Sequence, residues 1–138
     1  MIIAKDLSKR FGKVVAVDSM NFRIPRGGVV GLLGPNGAGK TTTIRMITGY
    51  MPPSEGSVAV DGVDVVARPM EARRRIGYLP ESTPLYAEMR TDEYLAFRSR
   101  LVGIGRKDRP AAIDRAVDRC LLGEVRRKPI RTLSKGFR

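Results

Sequence analysis

The sequence contains no histidine at all. That removes the commonest general base and the usual metal ligand from any mechanism the chain could run. Cysteine is nearly absent too, with Cys120 alone, so no internal disulfide can form. A cysteine-based nucleophile would lack its ordinary imidazole partner. Cys120 falls on an apolar helix face and is expected in the core. No apolar run approaches the roughly 20 residues that a membrane-spanning helix requires. The first residues, Met1-Ile2-Ile3-Ala4-Lys5-Asp6, lack the basic start and long apolar centre of a signal peptide, and a cytosolic location is the expectation. Aromatic residues are only 6% of the chain and do not interleave its basic residues in a stacking pattern.

What is present suits one globular domain. The 138 residues are 42% hydrophobic, and a chain of this length can bury roughly two-thirds of its unfolded surface. Charge is plentiful and lopsided. There are 26 Lys and Arg against 14 Asp and Glu, a net +12. Residues 68–138 hold 18 of the basic and 9 of the acidic residues, net +9, and residues 1–67 hold 8 and 5, net +3. A basic half of this kind either faces nucleic acid or anionic headgroups, or is an arginine-rich solvated surface.

The most specific stretch is Gly34-Pro35-Asn36-Gly37-Ala38-Gly39-Lys40-Thr41, which fits the phosphate-binding pattern G-x-x-x-x-G-K-[ST]. Its flanks agree with the pattern. Val29, Val30, Leu32 and Leu33 before it suit a buried strand, and Ile44, Ile47 and Met51 after it are spaced for one face of a helix. Glycines at 34, 37 and 39 let backbone N–H groups converge on phosphate oxygens at a helix N-terminus. Lys40 supplies a full charge for the terminal phosphates. The Thr41 hydroxyl can complete the shell of Mg²⁺, with Thr42 one residue deeper. The competing reading is a glycine-rich turn with Lys40 solvated.

The rest of the chain reads as follows. Strands are expected over Met1–Leu7 and Val14–Ile24, with a polar turn between them. Ser57–Val65 alternates about Asp61-Gly62, a hairpin signal. Met70–Arg75 suits a short helix, and Ile76–Pro80 a brief apolar strand. Thr91 is expected to cap a helix whose first turn holds Asp92 and Glu93, with Tyr94, Phe97 and Leu101 on one face. A second amphipathic helix is expected from about Pro110, carrying Ile113, Ala116, Val117, Cys120 and Leu121, and ending at Gly123. The expected architecture is α/β: a P-loop NTPase core with N-terminal antiparallel strands over about 1–85, and a helical subdomain over about 86–138.

Several features beyond the phosphate loop line up with one family. The chain resembles, from first residue to last, the nucleotide-binding subunit of ABC transporters, most closely the bacterial ATPases paired with ABC-2-type export permeases. The wording Gly-Pro-Asn-Gly-Ala-Gly-Lys-Thr-Thr over 34–42 is typical of that family. Phe11 matches the aromatic that stacks on adenine. Ile76-Gly77-Tyr78-Leu79-Pro80-Glu81 is similar to the lead into the family's Q-loop, with Glu81 in place of glutamine. Leu133-Ser134-Lys135-Gly136-Phe137 is similar to the signature Leu-Ser-Gly-Gly-Gln, keeping Ser134 and Gly136 and departing at Lys135 and Phe137.

The resemblance implies ATP and Mg²⁺ as ligands. It also implies a second nucleotide-binding subunit whose ATP meets this signature, and an integral membrane permease on which the chain sits at the inner face of the cell membrane. The surface from Glu81 to about Leu101 would meet that permease. The family's Walker B aspartate, catalytic glutamate and switch histidine have no match within these 138 residues, so no catalytic residue is assigned. The sequence is expected to be the N-terminal portion of an ATPase subunit that binds ATP without turning it over. Two other readings stay open: a soluble ABC-type ATPase acting on nucleic acid or ribosomes, and a non-catalytic remnant serving as an interaction module. An unrelated phosphate-loop kinase or GTPase would leave Phe11 and Leu133-Ser134 unexplained.

Overall fold

The computed structural model describes residues 1–80 and 84–137. They form two units, Met1–Leu79 and Pro80–Arg138.

The first unit is built on a four-stranded antiparallel sheet in the order β2-β1-β3-β4. Strand β1 (Ile2–Phe11) and strand β2 (Val14–Ile24) make a long hairpin closed by Gly12-Lys13. Strand β1 continues four residues beyond the Leu7 expected from the apolar pattern. It does so through polar residues because Asp6 and Ser19 take left-handed backbone angles (φ 48° and 41°) that shift the register. The Asp6 carboxylate stitches this bulge by accepting from the Asn21 side-chain amide at 2.9 Å and the Ser19 hydroxyl at 3.2 Å.

Strand β3 (Glu55–Val60) and strand β4 (Val63–Asp64) turn at Asp61-Gly62, both with positive φ, as the sequence anticipates. The alternation puts Val58, Val60, Val63 and Val65 inside. Helix α1 (Lys40–Ile47) lays Thr43 and Met46 against the sheet, and helix α2 (Pro69–Arg73) adds Ala72. Leu7, Met46 and Val58 are fully buried, and each such side chain contributes about 1.5–3 kcal/mol. Ile47 and Met51 pack on this core, but Ile44 of the anticipated face is exposed.

Two expected strands are not formed. Residues 29–33 are irregular, with Val29 and Leu33 essentially fully exposed, and residues 76–80 are irregular with Leu79 exposed. An apolar run becomes a buried strand only when neighbours satisfy its backbone on both sides. Neither run is hydrogen-bonded to the four-stranded sheet, so each lacks the ladder partners that would make it a strand.

In the second unit, helix α3 (Thr91–Leu101) packs on helix α4 (Arg109–Arg119). Thr91 is not the cap. Arg90 occupies that position, and its N–H donates to the Glu93 carboxylate at 2.8 Å, while the Thr91 N–H donates to the Lys128 carbonyl. Tyr94 and Phe97 cluster with Tyr86, the Tyr86 and Phe97 rings meeting edge to face at 5.3 Å. Leu101 is exposed rather than buried with them. Helix α4 ends earlier than expected, because Leu121 takes the left-handed position (φ 54°) and Cys120 is the C-cap. Cys120 is therefore exposed, not a core residue.

Candidate nucleotide-binding site

Strand β2 and helix α1 position the phosphate loop. The loop runs from Gly34 to Gly39, and helix α1 begins at Lys40 with Gly39 as its N-cap (φ 82°). A Cβ on Gly39 would lie 2.3 Å from the Ala16 carbonyl oxygen and 3.0 Å from a Val17 methyl, so only glycine lets the loop settle on β2. Thr43 locks the same joint from the helix side. Its N–H and its hydroxyl both donate to the Gly39 carbonyl, at 2.8 and 3.0 Å.

Lys40 folds back over the loop. Its ammonium donates to the Gly34 carbonyl at 2.6 Å and the Pro35 carbonyl at 2.7 Å. An ammonium has three donors, so two fix the loop's curvature and the third can meet an anion. The Ala38 N–H closes the turn on the Pro35 carbonyl at 3.3 Å. Gly37, at φ 84°, supplies a backbone angle no side chain favours. Lys40 is the basic side chain seen on the loop itself; Arg26 is engaged by the Asp61 carboxylate at 2.9 Å. The first turn of α1 adds N–H groups without intrahelical partners and the positive end of the helix dipole.

Phe11 ends β1, opposite Val14. Two residues further along β2 lies Ala16, whose carbonyl Gly39 touches, so the strand register brings the Phe11 end of the hairpin close to the start of α1. Phe11 is 49% exposed, and its ring offers a flat apolar face to a planar ligand. The Lys9 ammonium stands 5.5 Å from its centroid and also donates to the Pro52 carbonyl at 2.7 Å. Lys9 was not singled out from sequence. Its place two residues before Phe11, on the same face of one strand, is the signal that could have found it. The floor provided by Ala16 and Val17 had no local signal.

Thr41 and Thr42 occupy the first turn of α1, Thr41 exposed. Among the described residues no group of three His, Cys, Asp or Glu could hold a metal by itself. Mg²⁺ takes one or two protein oxygens and fills its shell with phosphates and water. Thr41 is the residue here that would hold it. Glu81 lies outside the described residues.

The segment Leu133–Phe137 belongs to the second unit. Backbone bonds anchor its approach: Ile130 N–H to the Met89 carbonyl and Arg131 N–H to the Ala87 carbonyl, both 2.9 Å. Leu133 is buried, Ser134 is exposed, and Lys135–Phe137 form one tight turn closed by the Phe137 N–H on the Ser134 carbonyl at 3.0 Å.

The comparisons with known proteins agree with this geometry. A family model described as ABC transporter matches residues 17–138. The ABC transporter ATP-binding protein NatA of Bacillus subtilis is 41% identical over all of this chain and 58% of its own length. The Nod factor export ATP-binding protein I of Sinorhizobium fredii is 39% identical over 96% of this chain and 38% of its own. A solved structure of an ATP-binding subunit of an ABC transporter superposes with a TM-score of 0.81 at 29% identity, covering 98% of this chain and 56% of that one. The chain thus spans about half the length of the proteins it matches. With its phosphate loop seated between β2 and α1, it belongs to the ABC transporter family, among the ATP-binding subunits.

Proposed function

We propose that residues 34–42 hold the phosphates of ATP, with Thr41 on the accompanying Mg²⁺ and Phe11 against the adenine. The observation that carries this reading is the Lys40 ammonium, held at 2.6 and 2.7 Å from two loop carbonyls while its third donor remains for an anion. Glycine at 39, where β2 leaves no room for a side chain, keeps the loop in that shape. Mg²⁺, when bound, neutralises charge on the terminal phosphates.

The relatives are described as ATP-binding proteins of transporters and of export systems. We extend this to the chain as follows. It pairs with a second nucleotide-binding subunit, Ser134 and Lys135 meet the terminal phosphate of the partner's ATP, and the closing pair drives a membrane permease from the inner face of the membrane. Glu81, at the family's Q-loop position, would offer its carboxylate to Mg²⁺ or its water in place of a glutamine. Phe137 would continue the signature turn.

We propose further that the 138-residue polypeptide binds ATP without turning it over: the side chains identified at the loop, Lys40, Thr41 and Thr42, offer an ammonium and two hydroxyls and no carboxylate. Isothermal titration with Mg-ATP, followed by phosphate release over hours, tests both halves. Saturable binding with no release is expected. Steady release abolished by Lys40→Ala would overturn the second half, and absence of binding by folded protein would overturn the first.

A further inference from the structure

The turn between α3 and α4 combines charge and exposed apolar surface in a way the nucleotide site does not use. Over residues 98–107 the chain reads Arg-Ser-Arg-Leu-Val-Gly-Ile-Gly-Arg-Lys, four basic residues and no acidic one. Leu101 and Val102 are 61% and 64% exposed at its centre. Among the described residues the ion pairs of this unit involve Arg90, Arg126 and Arg131, and Arg98, Arg100, Arg106 and Lys107 take part in none of them. The acidic residues of α3, Asp92 and Glu93, sit in its first turn, about 12–15 Å from Leu101 and Val102 along an axis rising 1.5 Å per residue. Asp108, at the N-cap of α4, is the one carboxylate next to the turn in sequence.

The turn is also closed by its own hydrogen bonds. Gly103 takes the left-handed position (φ 81°), the Ile104 N–H reaches back to the Ser99 carbonyl at 2.9 Å, and the Arg109 guanidinium donates to the Ile104 carbonyl at 2.8 Å. Leu101 and Val102 are thus held outward by a closed helix end. Beside them an apolar groove of about 180 Å³ runs between the helices, lined in part by Leu95, Val102, Ile104 and Ile113, with Arg98 at its wall.

We propose that this turn docks on an anionic lipid surface, with Leu101 and Val102 entering the headgroup layer and Arg98, Arg100, Arg106 and Lys107 pairing with lipid phosphates. Charge complementarity selects this occupant. Four cations around two outward aliphatic side chains match a layer that is negative at its face and apolar beneath. Arginine and lysine stems can lie along the apolar boundary while their heads stay at phosphate level. The contact needs neither a permease nor ATP; Arg98, Arg100 and Leu101 end the stretch expected to meet the permease, and Val102, Arg106 and Lys107 lie beyond it.

The test is co-sedimentation of the full chain with vesicles of phosphatidylcholine alone and with 30% phosphatidylglycerol. Net charge alone would attract this chain to anionic vesicles, so the comparison is between two double reversals of equal charge. Each basic residue near an anionic surface raises partitioning by about fivefold. Arg106→Glu with Lys107→Glu should therefore weaken binding at least about 25-fold. Arg23→Glu with Arg74→Glu, in the other unit, should weaken it far less. Leu101→Gln with Val102→Gln should weaken binding while leaving its salt dependence in place. Circular dichroism establishes that each variant is folded. Equal loss from the two charge reversals, equal binding to neutral vesicles, or no effect of the Leu101 and Val102 changes would each overturn the proposal. So would self-association on a sizing column that the same changes abolish, which would give the face to a second copy of the chain.

Discussion

Gly39 and Asp61 show how single residues decide the behaviour of the first unit. A methyl group on Gly39 would collide with the Ala16 carbonyl and would sit at φ 82°. Gly39→Ala should cost on the order of 2–4 kcal/mol, seen as a lowered thermal midpoint, and should weaken ATP binding in the protein that still folds. Asp61 accepts from the Met1 ammonium at 2.6 Å and the Arg26 guanidinium at 2.9 Å. The hydrogen bond from the N-terminal ammonium, and then the one from Arg26, hold its carboxyl at about 2, against an ordinary 3.8. Its folded value is the lower one, so its contribution is fully present above about 3.8 and is lost as pH falls toward about 2. Stability measured by denaturant from pH 5 to pH 2 should fall less steeply in Asp61→Asn than in the unaltered chain. Identical slopes would show that the clasp contributes nothing in solution.

At the scale of elements, α1 is both a core helix and the wall of the site. Met46 is fully buried two turns after Lys40. Met46→Ala should cost about 2–5 kcal/mol, and because the helix start carries the loop, ATP affinity should fall along with stability. Unchanged affinity in a destabilised protein would mean that the loop holds its shape without the helix packing. Elements set by local chemistry were legible in the sequence: the phosphate loop into α1, the Asp61-Gly62 hairpin, and the α3–α4 pair. Elements set by distant partners were not. The cap of α3 shifted to Arg90, and the Thr91 N–H and hydroxyl both donate to the Lys128 carbonyl, 37 residues away. The runs at 29–33 and 76–80 have the composition of buried strands, but no strand of the sheet pairs with them. The extension of β1 past Leu7 depends on a bulge made by Asp6, Ser19 and Asn21, polar residues that read as a turn when taken one strand at a time.

For the molecule as a whole, the account rests on one claim: the loop at 34–42 recognises phosphates, and Lys40 is its principal charge. Phe11 offers only a face to stack on, which every adenine nucleotide shares. The phosphate contacts should therefore order the ligands by charge. The most direct measurement is the affinity of the folded chain for ATP, ADP and AMP with Mg²⁺, repeated on Lys40→Ala. A contact between an ammonium and a phosphate oxygen contributes about 1.5–3 kcal/mol, so the change should weaken ATP at least about tenfold and compress the gap between ATP and AMP. Equal affinities for the three nucleotides, or a Lys40→Ala chain that binds ATP as the unaltered one does, would contradict it.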